Sequence, residues 1–122
     1  MPEDALVHAL AKRRQISITV IGRRTGRAIT RPVWFVFEAN AFWLLPVSGS
    51  KTQWYRNLKA NRSITIHVGS EQRKLRARLL KSPPAVRKVI QSFREKYTAP
   101  EIKRWYTGLN VAVQTALPTH RT

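Results

Sequence analysis

Short segments in which apolar and polar residues alternate, separated by tight turns, run through much of this 122-residue chain. The clearest pair, SITIHV at 63–68 and EQRKLRARLL at 71–80, flanks Gly69-Ser70, which predicts a β-hairpin. The segment QISITVI at 15–21 has the same period of two, which is typical of a half-buried strand. Because hairpins pair neighbouring strands antiparallel, a mainly antiparallel sheet structure is predicted.

Two further segments, 30–38 and 42–47, are apolar on both faces. Each is therefore expected to be covered twice, once by the core and once by another layer, for which a partner subunit is the predicted candidate. Helical spacing of apolar residues and capping residues such as Ser82 predict the helices. The predicted strands are 15–21, 30–38, 42–47, 63–68, 71–80 and 109–117, and the predicted helices are about 3–12, 51–60, 83–97 and 99–106.

These elements predict one domain of the α+β class, mainly β: a six-stranded antiparallel barrel, closed or partly closed, with helices at its rim. The barrel is expected to span residues 15–117, after an N-terminal helical segment at 1–14 and before a frayed tail at 118–122. No segment approaches the roughly 20 apolar residues that a membrane-spanning helix needs. The N-terminal sequence does not resemble a secretory signal, so a cytoplasmic location is expected.

Lysine and arginine outnumber aspartate and glutamate by 23 to 6, a net charge of +17 that favours an anionic partner. The chain has no cysteine, and its histidines, His8, His67 and His120, are far apart in the sequence. Of these, His67 is expected to be an ordinary polar residue on a strand face. Neither a metal site nor paired carboxylates are predicted, so an enzyme of this sequence would depend on a bound cofactor.

The stretch IGRRTGRAITRPVWF at 21–35 has the residues of an anion site beside an aromatic surface. A glycine-containing turn leaves N–H groups free to face an anion, and arginines offer paired donors for phosphate or carboxylate oxygens. Pro32 within an apolar strand is typical of an edge strand, and Trp34 next to it offers a flat apolar surface. The arginines of the stretch are Arg23, Arg24, Arg27 and Arg31.

A second basic glycine loop follows the third predicted strand. Ser48-Gly49-Ser50 leads into a predicted helix whose first N–H groups, together with Lys51, are suited to bind an anion. Trp54 and Tyr55 follow within one turn. Two basic glycine loops, each followed by aromatic residues, predict a site for an anionic group attached to a flat ring.

The sequence TVIGRRTGRAITRPVWFV, with FWLLPVSGSKTQWYRNLKANRSITIHVG after it, resembles the deazaflavin-dependent nitroreductase family. Members of this family carry a TGR-x-TG-x-x-R hairpin and a later W-Y-x-N-L-x-A-N-P helix. The resemblance covers about residues 17–80 and is looser beyond them. It implies a split β-barrel of the flavin-reductase and pyridoxamine-phosphate-oxidase type, usually a homodimer, that binds coenzyme F-420 and transfers a hydride from its deazaflavin ring.

The resemblance also implies which residues contact the cofactor. The hairpin would bind the phosphate, the next strand and the loop after the third strand would lie against the ring, and the Trp-Tyr helix would close the site. The implied cofactor contacts are Arg23, Arg24, Thr25, Gly26, Arg31, Pro32, Trp34, Pro46, Val47, Ser48, Gly49, Ser50, Lys51, Gln53, Trp54 and Asn57. Trp34, Tyr55 and Tyr97, or Tyr106 in place of Tyr97, would shape the catalytic side. Ile29 departs from the family pattern, which has an arginine there.

The leading hypothesis is therefore an F-420-dependent reductase that passes a hydride to a quinone, a nitroaromatic compound or an activated alkene. FMN is an alternative cofactor, because related split barrels bind it through a similar phosphate site. Another reading is a small barrel that binds single-stranded nucleic acid, and it is disfavoured because the tryptophans lie in apolar segments rather than along a basic face. A third hypothesis is a family member that binds the cofactor but catalyses no reaction. Which tyrosine, if any, donates a proton stays open.

Overall fold

The computed structural model describes Leu10 and residues 13–118, so the predicted N-terminal helix, except for Leu10, and the end of the tail lie outside the described residues. The described part contains eight strands, three α-helices and one short 3-10 helix at Gly49–Lys51. The strands are β1 (Gln15–Ile21), β2 (Ala28–Trp34), β3 (Val36–Glu38), β4 (Ala41–Leu44), β5 (Ser63–Val68), β6 (Glu71–Arg76), β7 (Arg78–Leu80) and β8 (Ala112–Ala116). The helices are α1 (Gln53–Ala60), α2 (Pro83–Lys96) and α3 (Ala99–Trp105).

The strands form two antiparallel sheets of four, in the orders β2-β1-β5-β6 and β3-β4-β8-β7. The predicted strands 30–38 and 71–80 are each divided, at Phe35 and at Ala77, where the chain passes from one sheet to the other. The six predicted strands therefore correspond to eight shorter strands in the structure. The α+β class and the split-barrel architecture are confirmed, since the two corners join the sheets around one core.

Apolar residues fill two regions. The first lies inside the barrel and includes Ile18, Phe42 and Ile66, each at most 1 % exposed. The second lies between the second sheet and helices α2 and α3, where Phe93 is fully buried. The chain's own helices thus cover the outer side of β3 and β4, and the coverage of these strands by a partner subunit stays a prediction.

Both helices begin where their caps predict. The Ser82 hydroxyl accepts a hydrogen bond from the Ala85 N–H, and the Thr98 hydroxyl accepts one from the Glu101 N–H. The Glu101 carboxylate also forms an ion pair with Arg14, the residue before β1. These contacts fix α3 against the start of the barrel.

At the first corner, the backbone of Phe35 leaves the sheet and is bonded by the end of α2. The Tyr97 hydroxyl accepts a hydrogen bond from the Phe35 N–H at 3.0 Å. Its oxygen also lies 2.6 Å from the Arg14 carbonyl oxygen and 2.8 Å from the Phe35 carbonyl oxygen, which are the acceptors for its own hydrogen. The Lys96 ammonium donates to the Phe35 carbonyl at 2.9 Å and lies 3.6 Å from the centre of the Phe35 ring. The buried polar groups of the corner are therefore satisfied by side chains.

This corner makes stability depend on pH through Lys96. Burial, with a smaller contribution from Arg14, lowers the pKa of Lys96 from 10.5 to about 8. The unfolded chain then binds more protons than the folded one between pH 8 and 10.5, so stability rises with pH across that window. Burial raises the pKa of Tyr97 to about 12, so the loss of stability that follows tyrosine ionisation begins only above pH 10.

Lys96→Met should remove this dependence. Between pH 7.5 and 9.5 the free energy of unfolding of the wild-type protein should rise by about 0.5–1 kcal/mol relative to Lys96→Met, a small change because Lys96 is only half-buried. Denaturant titrations at the two pH values measure it. Parallel pH profiles for the two proteins would contradict the assignment.

Candidate functional site

A cavity of about 850 Å³ opens beside the edge strand β2. The turn before β2 forms one end, α1 and the loop after β4 form the floor, and the C-terminal end of α3 forms the far wall. Its lining residues are Gln15, Gly22, Arg23, Arg24, Thr25, Ile29, Arg31, Pro32, Val33, Trp34, Leu45, Val47, Thr52, Gln53, Trp54, Asn57, Trp105 and Tyr106.

The turn between β1 and β2 is held by its own backbone. The Gly22 N–H donates to the Arg27 carbonyl and the Gly26 N–H donates to the Gly22 carbonyl, both at 2.8 Å. Gly26 has a φ of 72°, which favours glycine. Within the described residues no acceptor faces the N–H groups of Arg24 and Thr25, so the turn keeps two donors for an anion.

Helix α1 fixes this turn through Arg23. The Arg23 N–H and one guanidinium nitrogen donate to the Asn57 side-chain oxygen, at 3.1 and 2.8 Å, and the other guanidinium nitrogen donates to the Gln53 side-chain oxygen at 2.8 Å. Asn57 is 4 % exposed, so this anchor is rigid. Arg23 is therefore first a link between turn and helix, whereas Arg24 is exposed at the cavity with no protein acceptor in the described part of the chain.

Trp34 forms an aromatic wall of the cavity. Its ring stacks on the Tyr97 ring with centres 4.5 Å apart and an angle of 7° between planes, and the Arg14 guanidinium lies 5.6 Å from its centre. Pro32 also lines the cavity and lies in an edge strand, as its lack of an N–H predicts. Because Trp34 is held from behind, it offers a fixed flat surface to a ligand.

Several residues of the cavity rim are apolar. Val47 and Trp105 are 46 % and 58 % exposed, and they are the large hydrophobic residues that the described part of the chain leaves exposed. Ile29, where the family resemblance expects arginine, lines the cavity and packs against the barrel core. The cavity therefore joins a cationic end to an apolar, aromatic end.

The predicted second anion site, at Ser48 to Lys51, is absent from the cavity lining. The N–H groups of Ser48 and Ser50 donate to the side chains of Thr52 and Asn110, and those of Gly49 and Lys51 donate to backbone carbonyls. Asn110 also donates to the Ser50 hydroxyl at 3.0 Å. The N–H donors that the sequence offers to a ligand are thus used within the protein, three of them inside the loop and that of Ser50 in a bond to the segment after α3.

The three tyrosines occupy three different environments. Tyr55 is fully buried in the barrel core, where burial raises the pKa of its hydroxyl, and that hydroxyl has no partner in the described structure. The Tyr97 hydroxyl is used at the Phe35 corner. Neither side chain lines the cavity, and this geometry corrects the prediction that they shape its catalytic side. Tyr106 does line it.

The structure brings together ten of the sixteen predicted cofactor contacts, among them Trp34 from the catalytic set. Those in the cavity wall are Arg23, Arg24, Thr25, Arg31, Pro32, Trp34, Val47, Gln53, Trp54 and Asn57. Those outside it are Gly26, Pro46, Ser48, Gly49, Ser50 and Lys51.

Residues that the sequence reading missed come from four places in the chain. Val33, Leu45 and Thr52 are sequence neighbours of predicted contacts, whereas Gln15 lies beside Trp34 through the pairing of β1 with β2. The alternation of β2 places Val33 on the same face as Ile29. Trp105 had a signal of its own, since it is a large apolar residue that follows Lys103 and Arg104 on a short helix. His67 bonds Thr19 at 2.7 Å on a strand face, as predicted.

Comparison with known families supplies a match over nearly the whole chain: the family model for F-420H2-dependent quinone reductase matches residues 3–116. No curated protein sequence matches. Within the described residues, none of the helices has the length and apolar character needed to cross a membrane, and no group of histidine, aspartate and glutamate is placed to hold a metal ion.

Solved structures share the fold at low sequence identity. One, an F-420-H2 dependent reductase, is 20 % identical with a TM-score of 0.66, and the match covers 84 % of this chain and 94 % of that one. A second, described as a domain-swapped dimer, is 18 % identical with a TM-score of 0.67 over 94 % and 99 %. A third, described as a pyridoxamine 5′-phosphate oxidase from Listeria innocua, is 12 % identical with a TM-score of 0.71 over 98 % and 95 %.

Because the loop after β4 lies against the segment after α3, substitution by alanine should cost different amounts of stability at two glycines, Gly49 and Gly26. A Cβ at Gly49 would lie 2.0 Å from the Gly108 carbonyl oxygen, whereas a Cβ at Gly26 would have nothing within 4 Å. Both residues have a positive φ, so an alanine would introduce similar backbone strain at either position.

Gly49→Ala should therefore lower the free energy of unfolding by at least about 2 kcal/mol more than Gly26→Ala, because only Gly49→Ala adds a steric clash. Chemical denaturation of the two variants beside the wild-type protein measures the difference. Equal losses would show that the close approach of the two loops is not a constraint on the fold.

Proposed function

Since this chain belongs to the F-420H2-dependent quinone reductase family, we propose that it binds coenzyme F-420 in the cavity beside β2 and reduces a small organic acceptor of the quinone class. One observation carries the proposal: a single cavity joins free cationic and N–H donors at one end to a fixed aromatic wall at the other. When bound, the reduced deazaflavin supplies a hydride, which together with one proton from water converts a quinone into a hydroquinone.

The cationic end fits a phosphate. Arg24 offers a guanidinium and its N–H, Thr25 offers an N–H, and Arg31 lies further along the same cavity wall. Charged donors and backbone N–H groups are the groups that bind phosphate in proteins. Arg23 has the role of positioning residue, because its side chain and N–H hold the turn on Asn57 and Gln53.

The aromatic end fits a flat ring. Trp34 is backed by Tyr97 and so keeps its orientation without a ligand. Val47, Trp54 and Trp105 supply apolar surface around it, and covering their exposed parts with a ligand excludes water from the reacting faces. These residues orient the reactants, and the cofactor carries the chemistry.

The net charge of +17 supports the same proposal, because coenzyme F-420 carries a polyanionic tail beyond its phosphate. FMN, which joins a phosphate to a flat ring, is the second candidate cofactor. The single-stranded nucleic-acid reading has less support: Trp34, Trp54 and Trp105 converge on one cavity rather than forming a stacking row along a basic face.

We also propose a homodimer, with the domain-swapped dimer among the structural neighbours as support. The chain's own helices cover the second sheet, and Val47 and Trp105 are the large apolar residues left exposed in the described part. The interface would therefore be polar or would exchange a segment between subunits, and it would not be a broad apolar face.

Alanine substitution of two arginines in the same turn distinguishes a direct contact with the ligand from a general effect of positive charge. Arg24 lines the cavity and Arg27 does not, yet each variant to alanine removes one positive charge from the same hairpin. Arg24→Ala should raise the dissociation constant of coenzyme F-420 about tenfold or more, as expected for loss of a charge-assisted contact, while Arg27→Ala should change it less than about threefold.

Titration of each protein with oxidised coenzyme F-420, followed by the ligand's fluorescence, measures these constants, and a parallel titration with FMN ranks the two cofactors. Equal weakening by both variants would mean that the phosphate is not bound at the turn. No saturable binding of either cofactor to the wild-type protein would overturn the proposed function.

A further inference from the structure

Two segments of the chain meet at the rim of the cavity, and each carries one large apolar side chain that the described residues leave exposed. Val47 lies in the loop after β4, and Trp105 is the last residue of α3. Apolar side chains that stay exposed at the mouth of a cavity are typical of a ligand contact. The contacts that join the two segments therefore decide the shape of this part of the rim.

Among the described residues, three hydrogen bonds join the loop after β4 to the segment after α3. The Thr107 N–H donates to the Val47 carbonyl at 2.8 Å. The Asn110 side chain makes the other two, because its oxygen accepts from the Ser50 N–H at 2.9 Å and its nitrogen donates to the Ser50 hydroxyl at 3.0 Å. One side chain thus supplies two of the three bonds that hold the two segments together.

Two glycines allow the segments to approach closely. Gly49 and Gly108 have φ values of 58° and 59°, a region that favours glycine. A Cβ at Gly49 would overlap both the Gly108 carbonyl oxygen and the Asn110 side-chain oxygen, so the space between the two backbones has no room for a side chain. The segments are therefore in direct contact, and the two bonds of Asn110 fix their relative position.

The two ends of the cavity have separate supports. The cationic end is held by the bonds of Arg23 to Asn57 and Gln53 on α1, whereas the rim at Val47 and Trp105 is held by Asn110 and Thr107. Asn110 does not line the cavity, so it can influence a ligand only through residues that do. A change at Asn110 should therefore affect binding of a flat ring and leave binding of an anion at the turn unchanged.

We propose that Asn110 is a positioning residue of the cofactor site, which holds Val47 and Trp105 in place as the apolar rim that covers the ring of a bound deazaflavin. The inference rests on the proposed function. A rim that is already ordered loses less conformational freedom when a ligand binds, so more of the binding free energy is kept. The same rim keeps water away from the ring.

Two ligands separate the effects at the two ends of the cavity: coenzyme F-420, and a phosphate-free deazaflavin that has the same ring and only the ribityl chain. Asn110→Ala should raise the dissociation constants of both by the same factor, about two- to fivefold, because two solvent-exposed hydrogen bonds are lost. Arg24→Ala should raise that of coenzyme F-420 alone. Titrations followed by the fluorescence of each ligand measure these constants.

Asn110→Asp is the conservative variant, because a carboxylate accepts from both the N–H and the hydroxyl of Ser50. Its dissociation constants for the two ligands should return to the wild-type values. Asn61→Ala is the matched control, since it removes an exposed asparagine that accepts from the Ser63 N–H at 2.9 Å and does not line the cavity. It should change neither constant.

Hydrogen exchange of the Thr107 N–H provides a measurement without ligand. Exchange should be faster in Asn110→Ala than in Asn61→Ala, because the loss of the Asn110 bonds loosens the contact with Val47. Unchanged exchange, wild-type affinity of Asn110→Ala for both ligands, or equal losses in Asn110→Ala and Asn110→Asp would overturn the proposal. Failure of the wild-type protein to bind either deazaflavin would instead contradict the proposed function, and the role of Asn110 in binding would fall with it.

Discussion

The hydrogen bonds between the Phe35 backbone and Tyr97 hold the structure at the place where it changes from one sheet to the other. At this corner the strand can no longer pair with its neighbour, so its N–H and carbonyl need other partners, and the end of α2 provides them. The same contact backs the ring of Trp34 with that of Tyr97. One residue, Tyr97, thus both satisfies the backbone of the corner through its hydroxyl and supports the cavity wall through its ring.

The arginines of the hairpin have separate tasks although their sequence contexts are alike. The Arg23 guanidinium is bonded to α1 and fixes the turn, whereas Arg24 is exposed at the mouth of the cavity. A rigid turn matters for binding, because the free energy that would order a loose loop is then available to the ligand. Under the proposed function, the positive charge of the chain would attract the anionic cofactor, and the turn would fix the place of its phosphate.

Local pattern was sufficient to predict most strands and helices, because alternation and caps act over a few residues: Ser82 and Thr98 both cap as expected. The corner at Phe35 could not be predicted, since its partner Tyr97 is 62 residues away. The Ser48 loop resembled an anion site because the acceptor that occupies the Ser50 N–H, Asn110, is also distant in sequence. Half of the cavity wall was predictable from the hairpin and α1, whereas the contribution of Trp105 depended on where α3 ends, which no local pattern indicates.

The central claim is that a cofactor binds in the cavity beside β2, and the four tryptophans of the chain report on it. Trp34, Trp54 and Trp105 line the cavity, whereas Trp43 does not and bonds the Glu38 carbonyl through its indole N–H. Nuclear magnetic resonance of the indole N–H groups during titration with coenzyme F-420 tests the claim directly. The account predicts that the signals of the three cavity tryptophans shift and that of Trp43 does not; saturable binding that shifts Trp43 alone, or none of the four, would contradict it.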